Sequence, residues 1–256
     1  MRIIRWIVAA FSMYSKIPVP NCINDDDSAH AIFFLPLVGA VIGALVYGAD
    51  VAMRALSFPV YAKVPVYILI PIIVTGGFHI DGFLDTADAL ASYRSREKKL
   101  EILKDPHVGS FAVIRLGALA LILMSALFVI LDRTDDNTYP VIAAGSAVFV
   151  ISRALAALTS FAIKKARGDG MLAGETAYRK SGMAASFVWL ALSAAFVIAV
   201  DMNQACFELA SFAVFTLYYG LMVNKNFGGV TGDTAGYYVT VSEVFAAVAL
   251  ALAVII

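Results

Sequence analysis

Three aspartates stand close together in the sequence at Asp81, Asp85 and Asp88. If the segment is helical, their spacing places all three in one narrow stripe, because an α-helix repeats every ~3.6 residues. Like charges on one stripe repel each other unless a cation lies among them, and carboxylate oxygens suit Mg²⁺ or Mn²⁺. The pattern favours a divalent metal site with catalytic carboxylates over the plainer alternative, a solvated polar face at a helix end.

A glycine pair and a histidine precede this stripe. Gly76 and Gly77 lack side chains, so their backbone can approach a ligand closely and present amides to phosphate oxygens. We therefore predict that both glycines bind substrate. His79 is predicted to be a catalytic residue that accepts a proton, with a hydrogen-bonded structural histidine as an equal alternative.

A second polar cluster, KDPHVG at 104–109, precedes the third apolar segment. Asp105 followed by Pro106 is typical of a helix stop or turn. The functional alternative is a second acidic site, in which Asp105 is a metal ligand and Lys104 contacts the substrate.

A third cluster, FGGVTGDTAG at 227–236, leads into the last apolar segment. Its glycines indicate either a plain turn or a loop that cradles phosphate, with Gly228, Gly229 and Thr231 binding substrate. Asp233 is predicted to meet the first cluster and to complete its metal site.

Among the charged residues within apolar segments, where an unpaired charge costs ~3 kcal/mol or more, Arg115, Arg153 and Glu243 are the candidates for a functional role. Arg115 is close enough to the segment end to extend to the surface. Arg153 lies deeper, about two turns from the end of its own segment, and is predicted either to pair with Glu243 or to clamp a phosphate. Both Arg153 and Glu243 are therefore candidate substrate-binding residues.

The elements that position these residues are membrane helices. Of the 256 residues, 61% are apolar and only 15% are charged, and the mean hydropathy is +0.84, which excludes an ordinary soluble globular enzyme. The formal net charge is zero, so nucleic acid is not an expected partner. Cys22 and Cys206 have no metal-ligand or disulfide spacing and are predicted to be spectators.

A membrane-spanning helix needs ~20 mostly apolar residues, because it crosses ~30 Å of hydrocarbon. We predict an all-α, polytopic membrane helix bundle that forms a single domain over 1–256. An amphipathic helix at 1–14 is too short to cross and is predicted to lie at the membrane interface. Seven spans are predicted: 31–53, 64–80, 110–131, 139–161, 184–200, 206–223 and 238–256. The second and fifth are short and are either tilted partners, one broken helix or shorter than this pattern indicates, which gives a range of six to eight.

The distribution of Lys and Arg predicts the orientation. Fourteen of them lie in the alternate loops 1–30, 91–109, 162–183 and 224–237, against three in the opposite loops. Because basic residues are retained in the cytoplasm, the three polar clusters are predicted to face that side. The basic group at 164–180 is either this topology signal, a lipid contact or a collar around an anionic substrate: Lys164, Lys165, Arg167, Arg179 and Lys180.

The clusters, in this order and on a chain of this length, resemble the cobalamin synthase family, the adenosylcobinamide-GDP ribazoletransferases. The resemblance covers nearly the whole chain. It is strongest in GGFHIDGFLDTAD at 76–88, and it includes YSKIPVP at 14–20, FLPLVG at 34–39, KDPHVG at 104–109 and GGVTGD at 228–233. The chain departs from the family pattern at Ala89 and near Ala112, where glycine is usual, and at Thr240, where glutamate is usual.

The resemblance implies a multi-pass enzyme of the inner membrane whose active site faces the cytoplasm. Its substrates would be adenosylcobinamide-GDP and α-ribazole or its 5′-phosphate, and a ribazole hydroxyl would attack the donor diphosphate so that GMP leaves. Mg²⁺, or Mn²⁺ in its place, would be the cofactor, and homo-oligomers or complexes with other corrinoid-assembly enzymes are further partners to expect.

Two other classes share some of these features. A CDP-alcohol phosphotransferase of lipid synthesis also uses a carboxylate-rich helix at the membrane rim, but its motif differs in the region of residues 84–86. An ion-coupled transporter would use Arg153 and Glu243 along its path, but transporters place such groups near the bilayer midplane. Here the acids gather towards one surface.

Overall fold

The computed structural model describes residues 2–20, 23–133, 139–167 and 171–256. Cys22 and the loop acids Asp135 and Asp136 lie outside the described residues, and Cys206 is a free, exposed cysteine. Within the described ranges the secondary structure is helical apart from one isolated parallel bridge, Lys165 to Val230. The helices are α1 Arg2–Tyr14, α2 Asp25–Ala29, a 3-10 helix Ala31–Phe34, α3 Leu35–Ala55, α4 Val60–Thr75, α5 Phe78–Ala91, α6 Arg96–Ile102, α7 Ser110–Arg133, α8 Tyr139–Ala162, α9 Met171–Glu175, α10 Arg179–Val200, α11 Met202–Asn226 and α12 Gly232–Ala253.

Six of the described helices are long and apolar enough to cross a membrane: α3 with the preceding 3-10 turn, α7, α8, α10, α11 and α12. They coincide with six of the seven predicted spans, although α10, α11 and α12 each begin several residues earlier than their predicted starts at 184, 206 and 238. The prediction of a polytopic, all-helical membrane bundle is confirmed.

The second predicted span, 64–80, is not one straight helix. α4 ends at Thr75, and Gly76 and Gly77 adopt φ angles of 65° and 82°. Such left-handed backbone favours glycine, which has no Cβ to clash with the chain. α5 then leaves α4 at 94°, so the predicted end at 80 was wrong, because the apolar residues Phe78 and Ile80 lie past the bend.

The bent pair of α4 and α5 nevertheless connects the two ends of the bundle. Tyr67 of α4 lines a cavity with Ile130 of α7 and Leu250 of α12, near the C-terminal ends of those helices. Phe83 of α5 packs on Ala112 at the start of α7. Counted as one broken span, the pair brings the number of crossings to seven.

Close contacts between α3 and α8 hold the centre of the bundle together. A Cβ atom on Gly39 would lie 2.1 Å from the Phe149 carbonyl oxygen, and one on Gly43 would lie 2.4 Å from that of Ser146. Small residues allow membrane helices to approach this closely, since packing and not hydrophobicity drives their association in lipid.

α1 lies across one end of the bundle as an amphipathic helix. It buries Ala9, Ala10 and Tyr14, whereas Ile3 and Ile4 are 58% and 65% exposed. An apolar exposed edge on a short helix is what an interfacial position requires.

Candidate active site

The three predicted aspartates lie on α5 as one stripe. Asp81, Asp85 and Asp88 all fall within the single helix Phe78–Ala91, and the charges of Asp81 and Asp88 act on Asp85. Asp233, at the start of α12, acts on the Asp85 carboxylate as well. We call these four residues the carboxylate cluster.

Two glycines bring α12 up to α5. A Cβ atom on Gly82 would lie 2.7 Å from the Asp233 carbonyl oxygen and 3.2 Å from the Cα atom of Gly236. The rings of Phe83 and Tyr237 stack beside this crossing with their centroids 5.6 Å apart. The close crossing places Asp233 next to the stripe, about 150 residues away in sequence.

Thr240 adds a polar contact to the same crossing. Its hydroxyl donates to the His79 carbonyl oxygen at 3.0 Å and approaches the Gly236 carbonyl oxygen at 3.1 Å. Thr240, one of the three departures from the family pattern, therefore connects the first turn of α5 to α12.

The start of α7 packs against the other side of α5. Buried Ala112 contacts Phe83 and Ala87, and the Arg115 guanidinium donates to the Ala87 carbonyl oxygen at 2.6 Å. A Cβ atom on Gly109 would lie 2.0 Å from an Asp88 carboxylate oxygen. The second sequence cluster therefore reaches the site through Gly109.

Asp105 of that cluster makes its hydrogen bonds within its own turn and is not among the acids whose charges act on Asp85. It is exposed in the turn after α6, where its Oδ1 accepts from the His107 backbone at 3.0 Å and contacts the His107 ring at 2.7 Å. These hydrogen bonds lower the pKa of Asp105. Lys104 is exposed in the same turn, and the Asp-Pro sequence here has the turn role that its pattern indicated.

The glycine-rich loop before α12 pairs with the basic loop after α8. The Val230 amide donates to the Lys164 carbonyl oxygen at 2.9 Å, and the Ala166 amide donates to that of Val230 at 3.0 Å. Gly228 and Gly229 have φ angles of 76° and 155°, and a Cβ atom on Gly229 would lie 2.1 Å from the Lys164 oxygen.

The pairing of the two loops brings a positive charge next to Asp233. Thr231 caps α12 by accepting from the Thr234 amide at 3.2 Å. Arg167, from the basic loop, lies 3.5 Å from the Asp233 carboxylate. The basic loop thus forms one side of the site, next to the carboxylate cluster.

His79 lies on the opposite side of α5 from the aspartate stripe. It is 6% exposed and faces the bundle interior, where the charge of Arg153 acts on it. A cavity of about 120 Å³ is lined there by His79, Thr240, Arg153 and Glu243. The structure therefore separates His79 from the carboxylates that the sequence grouped with it.

Arg153 and Glu243 form the buried ion pair that was one of the two predicted alternatives. The Arg153 guanidinium lies 2.6 Å from the Glu243 carboxylate, and Arg153 is 1% exposed. Ser152 donates to the same carboxylate oxygen at 2.9 Å. The pair neutralises both charges inside the bundle.

The carboxylate cluster has the donor chemistry of a divalent metal site. In the described ranges, no three His, Cys, Asp or Glu side chains are already arranged around one metal position. The four side chains supply only hard oxygen donors, and Arg167 pairs with one of them, Asp233. Such a donor set fits Mg²⁺ or Mn²⁺ and leaves negative charge for one to neutralise.

Residues 6–251 match the family model of cobalamin-5-phosphate synthase. The chain belongs to this family. The matched range includes α5, both glycine segments and the whole carboxylate cluster. The CDP-alcohol phosphotransferase and transporter alternatives are not favoured.

Curated relatives agree with the family. The chain is 34% identical over 251 residues to an adenosylcobinamide-GDP ribazoletransferase of Lachnoclostridium phytofermentans, covering 97% of this chain and 93% of the relative. A Clostridium perfringens protein of the same name is 32% identical, covering 91% of each chain. One from Escherichia coli O17:K52:H18 is 31% identical, covering 94% and 97%. No solved structure gives a significant match.

Sequence reasoning missed Gly82 and Gly236 as site-forming residues. Both belong to motifs that were singled out, but their role depends on a crossing between helices far apart in the chain. Small residues on facing helices are the signal that indicates such a crossing.

Proposed function

We propose that this member of the cobalamin-5-phosphate synthase family is an adenosylcobinamide-GDP ribazoletransferase. It joins adenosylcobinamide-GDP to α-ribazole, or to α-ribazole 5′-phosphate, and releases GMP. The observation that carries the proposal is the meeting of Asp81, Asp85 and Asp88 with Asp233 at one rim of a membrane bundle. Relatives that bear this activity in their names align with almost the full chain.

The carboxylate cluster would hold the cofactor, with Mg²⁺ as the first choice and Mn²⁺ as the alternative. When bound, the metal neutralises diphosphate charge and stabilises the departing phosphate. Asp81, Asp85, Asp88 and Asp233 are the residues that would hold it. Asp105, exposed and bonded to His107, is not included in this set.

The chain's own residues orient the reacting groups. Phosphate oxygens can lie against the backbone at Gly77 and Gly228, where no atom lies within 4 Å of the position that a Cβ would occupy. Gly76 and Gly229, which the sequence also predicted to bind substrate, instead pack against Lys16 and the Lys164 carbonyl oxygen. Arg167 adds a cation beside Asp233. In the reaction a ribose oxygen forms a bond to the donor phosphorus next to the corrinoid arm, and the bond from that phosphorus to the oxygen of GMP breaks.

A carboxylate of the cluster is proposed to accept the hydroxyl proton. His79 was the other predicted base, but its side chain is buried on the far side of α5 with Arg153. A base must come within hydrogen-bond distance of the proton that it removes, so the aspartate stripe, with Asp81 exposed and Asp85 and Asp88 half-buried, is better placed. His79 is instead proposed to support the inner wall of α5.

The proposed activity can be tested with purified protein. Incubation with adenosylcobinamide-GDP, α-ribazole and Mg²⁺ is expected to release GMP in proportion to cobalamin formed. EDTA should stop the release and excess Mg²⁺ should restore it, because the carboxylate cluster cannot neutralise a diphosphate by itself. Omission of α-ribazole is the control. Well-folded protein that releases no GMP, or that instead releases CMP from a CDP-alcohol, would contradict the assignment.

We propose that the carboxylate cluster faces the cytoplasm, in the inner membrane, on the charge distribution of the loops. In a background without Cys22 and Cys206, Ser95→Cys and Asp132→Cys place single thiols in exposed positions at opposite ends of the bundle. A membrane-impermeant maleimide applied to intact cells is expected to label position 132 and to spare position 95 until the membrane is opened. Equal labelling of both before opening refutes the topology.

A further inference from the structure

A polar pocket of about 430 Å³ lies between the end of α1 and the α4–α5 bend, next to the carboxylate cluster. One wall comes from the N-terminal segment and the other from the first sequence cluster. Its lining includes Ser12, Ser15, Lys16, Gly76, Gly77 and Asp81. The N-terminal segment therefore contributes directly to the site that holds Asp81.

Lys16 is held against the bend by its backbone and by its aliphatic chain. Its amide donates to the Val74 carbonyl oxygen at 2.7 Å. A Cβ atom on Gly76 would lie 2.4 Å from Lys16 Cε, so the absence of a side chain at Gly76 makes room for the lysine. Lys16 is exposed, and among the described residues no acidic side chain forms an ion pair with its ammonium group.

The end of α1 is anchored where Lys16 follows it. The Tyr14 hydroxyl donates to the Glu175 carboxylate at 2.5 Å, and both side chains are buried. Burial raises the pKa of Glu175 to about 7. The Tyr14 ring also lies edge-on to Phe78, the first residue of α5, with centroids 6.0 Å apart. Contacts of Tyr14 with Glu175 and Phe78, together with those of Lys16 with the bend, therefore fix the position of Lys16 relative to α5.

From this geometry we propose that Lys16 binds the diphosphate of the nucleotide donor on the side of the pocket across from Asp81. The inference rests on the proposed function. Asp81 and its neighbours repel an anionic phosphate unless positive charge lies on both sides of it, and an ammonium group with no carboxylate partner supplies that charge. The interfacial helix is accordingly part of the active site and not only a membrane anchor.

The first test is the steady-state kinetics of Lys16→Met in phospholipid-free detergent. The variant is expected to raise KM for adenosylcobinamide-GDP about ten- to hundredfold, the loss typical of one charge-assisted contact, with KM for α-ribazole changed less than about threefold. Lys16→Arg should recover most of the donor affinity. Lys98→Met is the matched control, because Lys98 is exposed and its ion pair is with Glu101 on α6.

Lys16 could contact the phosphate of a lipid headgroup in the same way as the diphosphate of the nucleotide donor. Measurements in phospholipid-free detergent distinguish the two, because no lipid phosphate is then present. If Lys16→Met changes donor KM only in vesicles that contain anionic lipid, Lys16 binds lipid and the proposal is overturned. An unchanged donor KM in both media overturns it as well.

Gly76→Ala and Gly77→Ala provide an independent structural test. Both positions have left-handed backbone, but a Cβ atom meets Lys16 only at Gly76 and meets nothing within 4 Å at Gly77. Gly76→Ala should therefore raise donor KM further than Gly77→Ala, and the excess should disappear when Lys16→Ala is combined with it. Equal, additive effects at the two glycines contradict the placement of Lys16.

Binding of GDP, measured by calorimetry with Mg²⁺ present, distinguishes this proposal from the proposed function. If Lys16→Met weakens GDP binding at least tenfold although the wild-type protein shows no ribazole transfer, the anion site stands and the activity fails. If the wild-type protein turns over and Lys16→Met retains both GDP affinity and donor KM, the activity stands and the anion site is refuted.

Discussion

Asp85→Asn is expected to lower kcat for GMP release by about 10³-fold or more, and Asp81→Asn by a similar factor. Each substitution keeps the shape of the side chain but removes a charge from the group that would hold the metal. Loss of one preorganised electrostatic contact at a reacting centre commonly costs about 10²–10³-fold, and a lost metal ligand adds to it. The measurement is single-turnover GMP release at saturating donor and Mg²⁺.

Stability separates this catalytic role from a structural one. Asp85 is repelled by Asp81, Asp88 and Asp233, so Asp85→Asn should melt no lower than the wild-type protein in EDTA. Asp25→Asn is the matched control for activity, because Asp25 is exposed on α2. Near-native rates in both Asp81→Asn and Asp85→Asn would remove the metal role, and a large loss of thermal stability would assign the residues to the fold.

Arg153→Met is expected to cause the largest loss of stability in the chain. It leaves the Glu243 carboxylate inside the bundle without its cation, and breaking a buried pair from one side costs about 3–5 kcal/mol. That loss corresponds to a melting temperature roughly 10 °C lower for a protein of this size. Thermal unfolding of the purified protein in detergent, followed by circular dichroism, measures it.

The double variant Arg153→Met with Glu243→Met tests whether the loss comes from the unpaired charge. It should recover at least half of the stability, since removing both charges leaves no buried ion. Arg115→Met is the matched control: its guanidinium bonds a backbone carbonyl oxygen on α5, so a smaller loss is expected. If Arg153→Met melts like the wild-type protein but raises donor KM, Arg153 clamps phosphate, as the other sequence prediction held.

The carboxylate cluster could be predicted in part from local spacing. The helical period places Asp81, Asp85 and Asp88 on one face, and the structure confirms that all three lie in one helix, α5. The sequence predicted that Asp233 meets the aspartate cluster, but not which contacts bring it there. The contact itself depends on Gly82 and Gly236, which permit a close crossing that no local pattern describes.

His79 and Asp105 show the limit of arguments from neighbourhood in sequence. Both lie in or beside motifs rich in polar residues, yet His79 points into the bundle and Asp105 bonds His107 in an exposed turn. Two positions along a helix separate His79 from Asp81, and that step turns a side chain through about 200°. Grouping by motif ignored this rotation.

The sequence by itself determined the membrane class, six of the spans and the alternation of basic loops, because each depends on hydropathy, length or charge within one segment. It also determined the aspartate stripe. Tertiary structure alone decided that α4 and α5 bend at Gly76–Gly77, that Arg153 pairs with Glu243, and that Lys16 lies beside the bend. These features depend on how the surfaces of helices that are distant in sequence pack against each other. The periodicity of residues along the chain describes each helix alone and does not specify that packing.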